Sequence, residues 1–226
     1  MKKRTAFISA ILSLIPFGQP LLIQAGVVLS TTSFVIFFPK KVYANTADFY
    51  LKKGIEKSDS GNYYGAISDY TKAIEINPND FRAFNNRCNA KLSINDFIGS
   101  IEDCTRSIAI KPNRSVPYYN RGIAKANLKD YNGAISDYTK AIEINPNYEN
   151  AYYNRGFAKA ELKDHYGAIS DYTNAININP NDKNAYKNRG ISKENIGDLQ
   201  GACSDWRQTI YLSPNDVAAK WVRDQC

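Results

Sequence analysis

The chain has 226 residues, 43% of them apolar and 12% aromatic, which is ample for a packed core and excludes a disordered polymer. Its formal charge of +7 is local: Lys2, Lys3, Arg4, Lys40 and Lys41 stand in residues 1–44 without an acid, and the other 24 basic residues face 22 acids. With no basic stripe left to follow a phosphate backbone, nucleic-acid binding loses its main support.

The first element in chain order is the leader. Lys2-Lys3-Arg4 precedes two apolar stretches, residues 6–17 and 21–38, which Gly18-Gln19-Pro20 divides. Val42-Tyr43-Ala44 then offers small residues at the spacing a signal peptidase reads, which would make Asn45 the first mature residue. The second stretch spans 18 residues, close to the minimum for a membrane helix, although Gln24 and the polar residues 30–33 weaken it. Two readings stay open, a cleaved export signal and a retained anchor with membrane association through residues 6–38, and the cleavage motif favours the first. Either would put the rest of the chain outside the cytoplasm, in a periplasm or a thylakoid lumen.

From residue 47 the chain repeats. Pro78, Pro112, Pro146, Pro180 and Pro214 stand 34 residues apart and divide it into windows 47–80, 81–114, 115–148, 149–182 and 183–216. Each window opens on an aromatic, Tyr50, Phe84, Tyr118, Tyr152 or Tyr186, followed four residues later by Gly54, Cys88, Gly122, Gly156 or Gly190. A second small residue, at Ala66, Ser100, Ala134, Ala168 and Ala202, precedes Tyr70, Cys104, Tyr138, Tyr172 and Trp206. Spacings of three, four and seven are helical, so each window reads as two helices whose small residues let the backbones approach. Turn residues such as Gly61 and Lys129-Asp130 separate the helices, and the proline ends the second one.

This pattern resembles the tetratricopeptide repeat. The family form W-x2-L-G-x2-Y…A-x3-F…P reads in the fourth window as Tyr152-x2-Arg155-Gly156-x2-Lys159…Ala168-x3-Tyr172…Pro180. The resemblance implies an all-α fold, an α-solenoid of tandem helix-turn-helix repeats wound as a right-handed superhelix, with residues 217–226 as a C-terminal capping helix. Asn215 and Asp216 would cap that helix, and Trp221 would plug the fifth repeat.

Two departures from the family are systematic. The family's leucine gives way to Lys53, Arg87, Arg121, Arg155 and Arg189, and its later aromatic to Lys57, Lys91, Lys125, Lys159 and Lys193. Asp69, Asp103, Asp137, Asp171 and Asp205 run in register on the second helices. Recurring ion pairs between helices explain this best, and an anion-binding groove is the alternative.

In the family's geometry the slots held by Cys88 and Cys104 face each other across one hairpin, and Cys203 and Cys226 would tie down the last helix. With an export leader, two disulfides are expected; four reduced core cysteines are the alternative. A metal site is not expected, because the single His165 lies in a different repeat from the cysteines and no Cys-x2-Cys spacing exists. Nor is catalysis or a cofactor, since the carboxylates recur with the repeat whereas an active site is an exception to its scaffold.

The resemblance places the concave groove on the first helices. Asn86, Asn120, Asn154 and Asn188 recur there, with Lys52 in the first copy. An amide offers the donor and acceptor that an extended peptide needs, although such amides can also bridge repeats. Tyr119, Tyr153 and Phe157 would supply apolar patches. Lys187 with Asn188 matches a fragment of the family's carboxylate clamp. The expected function is therefore protein or peptide binding in the groove, as a scaffold. Similar repeat proteins of photosynthetic bacteria often assemble membrane complexes. Self-assembly through the open N-terminal repeat face is the competing expectation.

Overall fold

The computed structural model describes residues 26–29, 34–37, 40–214 and 217–226, in two compact units divided between Tyr43 and Ala44. In the first unit, strands β1 (Gly26–Leu29) and β2 (Phe34–Phe37) pair antiparallel, with Gly26 opposite Phe37 and Leu29 opposite Phe34. These pieces of the stretch 21–38 are strands, not the helix that its length allows. Their valines and isoleucine favour that outcome. Among the described residues no helix is long and apolar enough to cross a membrane. Of the rest of the leader, residues 1–25, 30–33, 38 and 39 lie outside the described residues, and residues 40–44 open the first helix.

The second unit is all helix. Its hairpins are α1 (Lys40–Asp59, whose first four residues precede the unit boundary) with α2 (Tyr63–Ile76), α3 (Phe81–Ser93) with α4 (Phe97–Ile110), and α5 (Ser115–Asn127) with α6 (Tyr131–Ile144). They continue as α7 (Glu149–Glu161) with α8 (His165–Ile178) and α9 (Lys183–Asn195) with α10 (Leu199–Leu212), and α11 (Ala218–Gln225) ends the chain. From α2 onward each helix packs on the next, and α3, α5, α7 and α9 also touch one another in series. The first helix of each hairpin therefore lies on the inside of the curve, and together these helices form the concave wall.

Each hairpin turns in the same way. Gly61, Asn95, Lys129, Lys163 and Gly197 take the left-handed conformation, at φ between 61° and 83°, and so end the first helix. The next residue, Asn62, Asp96, Asp130, Asp164 or Asp198, caps the second helix by accepting from the N–H of a glycine three residues on. That glycine leaves room for the cap, since a Cβ there would collide with the capping side chain.

Aromatic rings lock the two helices together. Tyr70, Tyr138, Tyr172 and Trp206 are buried, each lying on the glycine of the partner helix. A Cβ at Gly122 would stand 2.6 Å from the Tyr138 ring. Repeat two uses a disulfide instead: Cys88 and Cys104, both fully buried, are bonded with Cα atoms 5.4 Å apart. A second disulfide joins Cys203 on α10 to Cys226 after α11, and Trp221 packs at 5.3 Å on Trp206. The residue preceding α11 is Val217, which makes no side-chain cap; Asn215 and Asp216 lie outside the described residues.

The three charged ladders form one seam. Arg121 donates through Nε and Nη2 to both oxygens of Asp137, at 2.9 and 2.7 Å, and Lys125 Nζ stands 2.7 Å from Oδ2. Its remaining nitrogen, Nη1, donates to Thr105 of the preceding repeat at 3.0 Å. Arg87, Arg155 and Arg189 repeat this with Asp103, Asp171 and Asp205, and with Thr71, Thr139 and Thr173. The planar fork joins two helices of one hairpin to the hairpin before it, which a lysine cannot do. Repeat one has no predecessor to reach. There Lys53 is exposed and only Lys57 meets the buried Asp69, at 2.5 Å. The guanidiniums are therefore spent on the fold and do not present an anion site.

Candidate functional site

The groove wall carries a period of its own. Asn154 Nδ2 donates to the Tyr119 hydroxyl at 3.0 Å, and Asn188 Nδ2 to the Tyr153 hydroxyl at 2.9 Å. Each bond spans 35 residues and so ties one repeat to the next. Burial raises both tyrosine pKa values, which keeps each hydroxyl protonated with its own hydrogen to donate. Each rung keeps one donor, the Tyr O–H, and one acceptor, the Asn Oδ1. Tyr119 stacks between Tyr138 at 5.9 Å and Tyr148 at 4.8 Å, while Tyr153 lies 5.7 Å from Tyr172, so the rungs are held by packing.

The four asparagines are not equivalent, because the residue 35 positions earlier differs. Asn154 and Asn188 meet tyrosines, but Asn86 follows Leu51, and Asn120 follows Asn85. Asn86 instead accepts from Asn85 at 3.4 Å, and Asn120 is buried, 6% exposed. The bridging role of these amides is thus realised in the C-terminal half, and the evenly presented ladder is not.

Phe157 stands 42% exposed between two recesses. One, of about 170 Å³, is lined by Ile123, Asn127, Tyr138, Asn154 and Phe157. The other, of about 250 Å³, is lined by Phe157, Tyr172, His165, Asn188 and Ile191, and the buried Nδ1 of His165 has no hydrogen-bond partner. The structure therefore brings Tyr119, Asn154, Phe157, Tyr153 and Asn188 together on neighbouring helices. Lys187 is half-buried on α9 beside Asn188. At the N-terminal end of α7, burial and a hydrogen bond to Asp182 raise the Glu149 carboxyl pKa.

A third recess, of about 360 Å³, lies between α1, α3 and α5. Arg114 lines it, a residue that the periodic reading passed over. The signal was its register: Asp80 and Asp182 occupy the same position and cap α3 and α9, whereas Arg114 leaves α5 without a side-chain cap. Among the described residues no group of three or more His, Cys, Asp and Glu side chains could hold a metal ion.

Three protein-family models described as tetratricopeptide repeat match the chain, over residues 47–80, 116–148 and 137–169. Of solved structures, MamA is similar at TM-score 0.70 and 25% identity, over 78% of this chain and 96% of that one. MamA from Desulfovibrio magneticus RS-1 reaches TM-score 0.71 at 16% identity, over 76% of this chain and 98% of that one. YrrB, described as a TPR protein with an unusual peptide-binding site, gives TM-score 0.69 at 16% identity, over 82% of this chain and 99% of that one. These last two likenesses are of fold alone. No curated protein matches the chain significantly.

Proposed function

Because the chain is an array of tandem tetratricopeptide repeats, we propose that it is a non-catalytic scaffold holding an extended protein or peptide segment in its concave groove. The observation that carries this reading is the pair of Tyr–Asn rungs on either side of Phe157. Each rung has a donor and an acceptor left for a peptide backbone, and the recesses beside Phe157 take apolar side chains. Because the rungs are already fixed between repeats, little side-chain entropy is lost when a partner arrives.

Head-to-tail stacking needs two raw ends. Here α11, packed through Trp221 and held by Cys203–Cys226, covers the fifth repeat, which favours the groove over self-assembly. We read residues 1–44 as an export leader, in keeping with the two disulfides. On this reading the scaffold works outside the cytoplasm, where assembly of a membrane complex is a fitting role.

One experiment addresses both statements. The chain is crosslinked in its native host, and its partners and its own N-terminus are read by mass spectrometry. The comparison is a folded variant with Asn154→Ala, Phe157→Ala and Asn188→Ala. The expected result is a defined partner lost in the variant and a chain beginning at Asn45. Capture of the same proteins by both would sink the groove reading, and an intact Met1 would sink the cleavage.

A further inference from the structure

The recess between α1, α3 and α5 departs from the repeat in three ways at once. It is the roomiest of the groove's recesses described above, with apolar walls from Leu51, Ile55, Phe81, Val116 and Pro117, and two of these stay open to water, Ile55 at 39% and Val116 at 44%. Its asparagine is unfinished: Asn85 Oδ1 is buried with no hydrogen-bond partner, a costly state for an acceptor. Its charge is out of pattern as well. Arg114 replaces a capping carboxylate with a cation at a helix N-terminus, where the dipole disfavours one.

The two arginines that line the recess differ in what they have left to offer. Arg82 is committed to Asp80 and Asp48, both at 2.7 Å. Arg114 makes no ion pair among the described residues; its guanidinium lies 5.8 Å from the Phe81 ring, with Lys111 Nζ at 5.4 Å from the same ring. Neither of these two cations has an ion-pair partner among the described residues, so they leave a local positive charge beside an apolar hole.

We propose that this recess anchors the groove's partner by an acidic, apolar motif. An extended peptide seats a bulky apolar side chain among Leu51, Ile55 and Val116 and donates a backbone N–H to Asn85 Oδ1. It places an Asp or Glu carboxylate on Arg114. The inference rests on the groove reading and gives it a chemical class of ligand. The chain's own leader is the wrong occupant on charge, since residues 1–44 hold five basic residues and no acid.

The test uses three synthetic peptides of equal length, each with a central Phe-Leu pair flanked by Asp, by Lys or by Ser, titrated against the protein by fluorescence anisotropy. The Asp-flanked peptide is expected to bind at least about tenfold tighter than the Lys-flanked one. Arg114→Asp restores the residue found at positions 80 and 182, so the thermal midpoint should hold or rise while the Asp-flanked peptide weakens by about tenfold or more. Arg114→Gln, which lacks the new charge, should give an intermediate loss. Equal binding of the Asp- and Lys-flanked peptides, or affinities unchanged by both substitutions, overturns the assignment. So does binding of none of the three. That last outcome leaves the groove reading standing, because the crosslinking experiment decides it at Asn154, Phe157 and Asn188.

Discussion

The seam and the groove wall are both written in 34-residue period, yet they behave differently. In the seam, Arg–Asp–Lys geometry recurs in four repeats with nearly the same distances, and its aspartates are at most 5% exposed. On the wall, an asparagine recurs just as faithfully, but the residue 35 positions before it is tyrosine in two places, where it bonds the amide, and leucine or asparagine in the others. Where a feature answers only to the neighbouring repeat, every copy can be alike. A groove that recognises one partner must differ along its length. Regularity here marks what holds the array together, and the breaks in it mark what the array reads.

The sharpest way to break that contrast is to remove one residue from each surface. Asp137→Ala leaves Arg121 and Lys125 facing each other without a carboxylate, both largely buried. A loss of about 3–5 kcal/mol in urea denaturation is expected. Asn154→Ala removes one hydrogen bond between half-buried groups, so about 1 kcal/mol is expected, with the damage appearing in partner binding instead. Equal losses of stability would erase the division between the two surfaces.

The next effect concerns the repeat that departs from the core pattern. Cys88–Cys104 closes 16 residues of chain, worth about 3 kcal/mol in the entropic account. With Cys203 and Cys226 both changed to Ala, reductant should lower stability by about that amount. Changing Cys88→Gly together with Cys104→Tyr in the same background installs the pairing of the other hairpins and should recover the stability that the reduced parent loses. If the Gly–Tyr version is no more stable than the reduced parent, the disulfide is not a substitute for the ring.

Much of this was legible because each repeat is a copy that its neighbours check. The prolines gave the hairpins, and the charged residues could be matched one helix away. Cys88 and Cys104 sat in slots that a hairpin brings together, and the pairing followed. What escaped depends on neighbours that the periodic alignment hides. Whether Asn120 or Asn154 finds a hydroxyl is decided 35 residues earlier, at Asn85 or Tyr119. Arg114 was in plain view, but sorting by what recurs passes over the residue that does not. The pairing of β1 with β2 was missed for another reason: a short apolar run has the same composition in a helix and in a strand.

The smallest predicted effect probes the rim of the wall, where regularity fails once more. Tyr148 holds the capping position before α7 and supplies no side-chain bond, and Glu149 follows in the first turn. Burial, and then the hydrogen bond to Asp182, hold the Glu149 pKa above its ordinary 4.5 in the folded chain. A carboxyl with a raised folded pKa binds its proton more tightly folded than unfolded. Its contribution to stability is therefore full below pH 4.5 and is lost as pH rises through the folded value. Glu149→Gln keeps the hydrogen bond without the charge. The variant should match the parent at low pH and exceed it slightly near neutrality, by a few tenths of a kcal/mol to about 1 at most given the partial exposure. Thermal midpoints measured across that range should converge at the acid end. A parent curve that instead gains stability relative to the variant as pH rises would mean that the carboxylate is favoured in the folded array, and that this end of the wall is built to hold a negative charge.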